Sequence, residues 1–180
     1  MLSRGDLMKT RQMVLKTRRL VLKALTDCDY LSLIQMATDP LVNATYMFPE
    51  LKKEEEKQKL FARLKTLSQM SDAFLYGIYF NDELIGIINK VFADEATVEV
   101  GYFIKSTMWN QGFAQEALAK VIEELFALGF KVIKAGHFIE NPASGRVMEK
   151  CGMHKTQETE DLTYRGQVHH CIYYQIEKEE

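Results

Sequence analysis

A change of period along the chain limits its fold more than any other feature of the sequence. The segments AFLYGIYF (73–80), ELIGIINKVF (83–92) and TVEVGYFI (97–104) read as three successive strands, with the Asn81-Asp82 turn between the first two and a turn signal at Asp94 to Ala96 before the third. From Ala114 onward, Leu118, Val121, Ile122 and Leu125 fall instead on one face of a helix, which Gly129 stops while Phe130 packs back on Leu125. The three strands are antiparallel neighbours, and the strand KVIKAGHFI (131–139) that follows the helix makes the sheet mixed.

The flanking segments complete an α+β pattern. TRRLVLKAL (17–25) predicts a first strand, and Thr26 or Asp27 caps a helix running to about Ala37 with Leu31 and Ile34 inward. A second helix over 51–70 carries Leu60, Leu64, Leu67 and Met70 at helical spacing, with Glu55 and Lys59 as an i,i+4 pair on its wet side. Asn141 caps a short helix opened by Pro142 and closed by Gly152, with Met153 reaching toward Met148. The closing stretch, 154–177, is a hairpin turning at Arg165-Gly166, with Val168, His170, Ile172, Tyr174 and Ile176 alternating on one face of its last strand. No repeat, linker or proline divides the chain, so a single domain over residues 1–180 is expected, with residues 1–14 as a loosely ordered N-terminal extension.

Charge and cysteine usage exclude several classes of function. A net charge of -2 gives no field for nucleic acid or an anionic membrane, and the densest basic group, Lys52, Lys53, Lys57 and Lys59, has Glu54, Glu55 and Glu56 among it. No apolar run approaches a membrane span, and the first residues lack a secretory apolar core. Cys28, Cys151 and Cys171 are odd in number and without CxxC spacing, which fits reduced thiols in a cytoplasmic protein. Cys171 follows His169 and His170, but strand alternation explains that trio and no zinc site is expected.

The stretch MWNQGFAQEAL (108–118) places a glycine at the start of a strongly helical segment, directly after a strand and a tight loop. Unpaired N–H groups at a helix N-terminus, together with the macrodipole, form an anion site suited to a pyrophosphate. Close approach of phosphate oxygens to that backbone gives a reason for Gly112 and for no more than a methyl group at Ala114. Neither GxxxxGK[ST] nor GxGxxG is present, so nucleoside triphosphates and dinucleotides are disfavoured.

Taken in order, TRRLVLKAL, the central hairpin, VEVGYFI, the loop WNQGFA with AQEAL after it, and NPASGRVMEKCGM (141–153) resemble the GNAT acetyltransferases, in particular the branch of the ribosomal-protein N-terminal acetyltransferases. The resemblance covers nearly the whole chain. It implies a mostly antiparallel sheet of about seven strands with flanking helices, splayed between the fourth strand, TVEVGYFI, and the fifth, KVIKAGHFI. It also implies acetyl-CoA as cosubstrate, with the pyrophosphate held by Trp109, Asn110, Gln111, Gly112, Phe113 and Ala114. Trp109 stands where many relatives have Gln or Arg, so the loop would bind through its backbone. The pantetheine arm would lie along Phe103 and Ile104 like an added strand, with Asn141 and Ser144 near the pantetheine or thiol.

For the chemistry, the resemblance points to Glu99 as a base acting through water, on the same strand face as Gly101 and Phe103. The backbone N–H of Ile104 or Phe103 would stabilise the oxyanion. Many GNAT enzymes carry a general-acid tyrosine where Met148 stands here, and Ser144 could assist the leaving thiolate instead. Cys151 belongs to a helix ending, so direct transfer is expected rather than an acyl-enzyme. The expected acceptor is a primary amine, foremost a protein N-terminal amine. Small amines such as polyamines or aminoglycoside-like compounds form the alternative, and a non-catalytic acyl-CoA binding module is the rival from another class. Tyr30, Tyr46, Phe48 and Tyr164 could wall the acceptor entrance, and a homodimer is left open.

Overall fold

The computed structural model describes residues 10–179. Its strands are β1 (Leu15–Lys16), β2 (Leu20–Lys23), β3 (Leu75–Phe80), β4 (Glu83–Ala93), β5 (Thr97–Ile104), β6 (Val132–Phe138), β7 (His154–Tyr164) and β8 (Gln167–Glu177). The helices are α1 (Tyr30–Thr38), α2 (Pro40–Asn43), α3 (Glu54–Gln69), α4 (Phe113–Leu128) and α5 (Pro142–Lys150). The strands form one sheet in the order β1-β2-β3-β4-β5-β6-β8-β7. Its count exceeds the expected seven because the chain opens with a two-residue strand, so the fourth and fifth strands of the sequence reading are β5 and β6.

The β5–β6 pair is the one parallel pairing in that order, and it is short: Thr97, Val98 and Glu99 face Val132, Ile133 and Lys134, and no further pairs follow. Beyond that point β5 stays paired with β4 as far as Ile104, while β6 stays paired with β8 as far as Phe138. The sheet is therefore split from residue 100 onward, and the split opens toward the N-termini of α4 and α5.

Two apolar layers fix this arrangement. Leu118, Val121 and Leu125 on α4 and Met148 on α5 pack against Ile78, Val98, Val100, Ile133 and Ala135 on one face of the sheet. On the other face, Leu33, Met36 and Phe61 from α1 and α3 cover Leu75, Ile87 and Phe103. Gly129 ends α4 in the left-handed conformation, with Phe130 N–H donating to Leu125 O at 3.3 Å, the helix ending that the Gly-Phe pair predicts. Both hairpin turns, Asn81-Asp82 and Arg165-Gly166, have two successive positive φ angles, as a tight antiparallel connection requires.

The first helix sits in a different phase from the predicted one. Thr26 caps a 3-10 turn over Asp27–Asp29, and this tighter turn rotates α1 so that Leu33, Ile34, Met36 and Ala37 are inward while Leu31 is 70% exposed. On α3, Leu60, Leu64 and Leu67 pack against the core as their spacing predicts, beside the buried Phe61 and Ser68, while Met70 lies past the helix end at 40% exposure. The expected N-terminal extension falls partly outside the described residues. Within them, Arg11 is buried and donates to Ser68 O at 2.6 Å and Met70 O at 3.0 Å, and Gln12 N–H donates to Glu124 Oε1 at 2.6 Å. These bonds tie residues 11 and 12 to the body of the fold. Among the described residues, no helix is long and apolar enough to cross a membrane.

Candidate active site

The split between β5 and β6 is the mouth of a cavity of about 580 Å³. Glu99, Phe103, Ile104, Trp109, Asn110, Gly112, Phe113, Ala114, Asn141 and Ser144 all line it. Of the donor-site and catalytic residues that the resemblance implies, Gln111 alone does not: its carbonyl accepts from Arg19 Nη1 at 3.0 Å.

The ladder alternation decides which peptide groups are available along β5. Lys105 N–H donates to Ile85 O at 2.7 Å, so in register Phe103 pairs with Ile87 and Gly101 with Asn89 as mutually hydrogen-bonded residues. Tyr102 and Ile104 then turn their peptide groups away from β4 and into the split. The indole Nε1–H of Trp109 donates to Ile104 O at 2.7 Å, which confirms that direction and leaves the Ile104 N–H free. Of the two candidate oxyanion donors, the Ile104 N–H faces the split, and the Phe103 N–H is committed to β4.

At the start of α4, Asn110 (φ 60°) and Gly112 (φ 79°) are both left-handed. Two left-handed residues in this short loop turn the backbone so that the N–H groups of Phe113, Ala114 and Gln115, which have no acceptor within the helix, face the cavity mouth. Glycine is required at 112 chiefly by its φ, since a Cβ there would meet only Arg19 Nη2, at 3.4 Å. Asparagine tolerates the same region better than most residues.

The loop is braced from outside by a residue that sequence reasoning missed. Arg19, just before β2, donates from Nε to Glu116 Oε2 at 2.7 Å and lays its guanidinium 4.5 Å from the centroid of the Phe113 ring. Thr17 Oγ1 donates to the other Glu116 oxygen at 2.6 Å. Local periodicity carries no sign of this contact, because its partners lie 92 and 97 residues apart in the chain. Two other missed residues had a local signal. Arg146 and Lys150, spaced i,i+4 on α5, share one face and line the cavity.

Glu99 is half-buried beside the end of the β5–β6 pairing. Burial raises the pKa of its carboxyl above the usual glutamate value; nearby Lys134 opposes that shift, and the charges of Glu158 and Glu160 add to it. Glu158 is paired with Lys134, and Glu160 accepts from the Tyr173 hydroxyl at 2.8 Å. On the opposite wall Asn141 caps α5, its Oδ1 accepting from Ser144 N–H at 3.4 Å, while Ser144 Oγ lies 2.9 Å from the Tyr102 hydroxyl. Met148 is in the core, 1% exposed, so its position in the helix does not face the site.

Of the aromatic wall candidates, Tyr46 lines the cavity and packs with Phe48 and Phe103, its hydroxyl donating to Asn89 Oδ1 at 2.9 Å. Tyr164 lies at the β7–β8 tip and donates to Asn43 Oδ1 at 3.1 Å; Arg165 reaches the same oxygen at 2.8 Å. Tyr30 is elsewhere, bonded to Glu54. Asn43 thus joins the hairpin tip to α2. Among the described residues, no group of three or more His, Cys, Asp or Glu side chains could hold a metal ion.

Residues 19–154 match the family described as the acetyltransferase (GNAT) domain. The chain is 30% identical over 149 residues to the uncharacterized N-acetyltransferase YoaA of Bacillus subtilis (strain 168), a match spanning 80% of this chain and 84% of that protein. Among solved structures, a GNAT-family acetyltransferase from Bacillus anthracis superposes with a TM-score of 0.77 at 22% identity, covering 92% of this chain and 98% of the other. The ribosomal L7/L12 alpha-N-protein acetyltransferase RimL, in complex with coenzyme A, superposes with a TM-score of 0.79 at 17% identity, covering 91% and 97%.

Proposed function

The chain belongs to the GNAT acetyltransferase family and is an acetyl-CoA-dependent N-acetyltransferase; from that premise we propose that its acceptor is a protein N-terminal α-amine, acetylated by direct transfer. The observation that carries this reading is the split after Glu99 and Lys134, which opens a cavity with unpaired backbone donors at one end and a half-buried carboxylate inside it.

Each part of the donor has a matching group. The N–H groups of Phe113, Ala114 and Gln115 and the left-handed Gly112 suit a pyrophosphate, and Arg146 and Lys150 add positive charge on the α5 side. The outward peptide groups of Tyr102 and Ile104 offer an amide-bearing arm the hydrogen bonds that β6 no longer supplies.

The chemistry needs a neutral amine, a stabilised oxyanion and a leaving thiolate. An α-amine has a pKa of about 7.7 to 8.0, so a large fraction is already neutral near physiological pH and a weak base acting through water suffices. Glu99, its pKa raised by burial, fits that role better than an ordinary surface carboxylate would. Ile104 N–H is the oxyanion donor, and Ser144 stands by the departing sulfur.

A small polycationic amine is the second reading, favoured by Glu158 and Glu160, whose charges reach Glu99. The deciding experiment offers acetyl-CoA with free N-terminal peptides, N-terminally blocked lysine peptides and polyamines, scored by free CoA release and product mass. Acetylation of free N-termini is expected, with little on blocked peptides. Acetylation of polyamines alone would overturn the peptide assignment.

A further inference from the structure

We propose that Tyr102 is a positioning residue for Ser144: its phenol O–H donates to Ser144 Oγ and so directs the serine's own proton into the cavity, toward the departing sulfur. This rests on the acetyl-transfer reading of the same site.

The observation is a contact across the split. Tyr102 projects from β5, Ser144 sits in the first turn of α5, and their oxygens are 2.9 Å apart, both residues lining the cavity. A phenol is the stronger acid of the two hydroxyls and therefore the better donor. The serine oxygen is also nearer to it than the alternative acceptor, Ser144 O, at 3.3 Å. Ser144 N–H is already spent on Asn141, shared between its backbone O at 3.2 Å and its Oδ1 at 3.4 Å, so the residue is held at both its amide and its hydroxyl oxygen. With Oγ accepting from Tyr102, the serine O–H rotor is left to point at a group within the cavity. Burial raises the pKa of the phenol, which keeps it protonated throughout the working range.

No proton leaves Tyr102 in this arrangement. The amine nitrogen bonds to the acetyl carbon, the C–S bond breaks, and the sulfur takes up negative charge that the Ser144 O–H stabilises by hydrogen bonding. The proton that finally neutralises the thiolate comes from the acylated nitrogen, through water. Met148 is buried in the core, so this serine takes the place by the sulfur that a helix tyrosine would otherwise fill.

The test compares Tyr102→Phe, Ser144→Ala and the double variant. A hydrogen bond to a developing charge is worth a factor of about 10 to 100, the loss of kcat expected for Ser144→Ala; Tyr102→Phe, which removes a neutral bond to the serine, should lower kcat by about 2- to 10-fold with KM for acetyl-CoA unchanged. The double variant should be no slower than Ser144→Ala, since the tyrosine acts only through the serine. CoA binding followed by Trp109 fluorescence, with the thermal midpoint, checks that each variant is folded. An unchanged kcat in Tyr102→Phe would overturn the proposal. So would losses that multiply in the double variant, or a rise in KM together with a lower midpoint at constant kcat. No turnover by the unmodified enzyme on any amine would instead overturn the acetyl-transfer assignment, and this proposal with it.

Discussion

Glu99 and Lys134 are the last residues at which β5 and β6 face each other; one position further on, the strands have separated. The candidate base therefore stands where the sheet parts, between a solvated and a buried environment. Burial raises its pKa, and Lys134 acts against that shift. As a base, Glu99 must be ionised, so the acid limb of the kcat/KM profile should fall at a pH above that of an ordinary glutamate. Glu99→Gln should remove that limb and lower kcat by about 10²- to 10⁴-fold. An unchanged pH profile would assign the base elsewhere.

The same shift predicts a stability effect of opposite sign. A carboxyl whose pKa is raised on folding contributes stability that is present in full below its unfolded pKa and lost as pH rises through the folded pKa. Glu99→Gln has no charge to desolvate. Its thermal midpoint should exceed that of the parent near about pH 8 and converge with it toward about pH 4, as measured by melting curves across that range.

Gly112 and Gly129 provide a matched pair of substitutions. Both are left-handed, at φ 79° and 109°, and a Cβ at Gly129 would meet nothing within 4 Å. Replacing either by alanine should cost about 1 to 2 kcal/mol of stability through backbone strain alone. Only Gly112→Ala, which disturbs the N–H groups at the start of α4, should also raise KM for acetyl-CoA. Equal KM values for the two variants would detach this loop from donor binding.

Trp109 is the single tryptophan of the chain and donates to Ile104 O at 2.7 Å beside the cavity. Its fluorescence should change and saturate on titration with CoA. In Trp109→Phe the Ile104 carbonyl loses its partner, and CoA affinity followed by calorimetry should fall by about 2- to 10-fold, the net value of one hydrogen bond.

Asn43 holds both Tyr164 and Arg165 of the β7–β8 tip through one carbonyl oxygen. Asn43→Leu should loosen that tip and raise KM for the acceptor while leaving KM for acetyl-CoA near the parent value. Steady-state kinetics with each substrate varied in turn reads the difference.

The sequence was most legible where one short segment settles the geometry. Asn81-Asp82 adopts the paired positive φ angles that its residue types favour, Gly166 marks the second turn although Arg165 beside it has no such preference, and Gly129 with Phe130 closes α4 as predicted. Where phase depended on a longer stretch, one position was misread: Tyr30, Leu33, Ile34 and Ala37 stand at helical spacing and face inward, and Leu31 falls outside that stripe. The candidate site shows the same division. Gly112 and the start of α4 could be read from local signals, and the split itself came from family resemblance, because three paired residues on two strands leave no periodic trace. Arg19, Asn43 and the Tyr102–Ser144 contact were invisible for a plainer reason: each joins parts of the chain 42 or more residues apart.

The two halves of the sheet are bridged by main-chain hydrogen bonds along only three residues of each central strand. On the binding mode proposed above, the acyl donor slots into the vacant rungs and completes the lattice, serving as a structural member as well as a reagent. An empty enzyme would then be the softer one, and amide exchange across β5 and β6 should slow together once the cosubstrate is aboard.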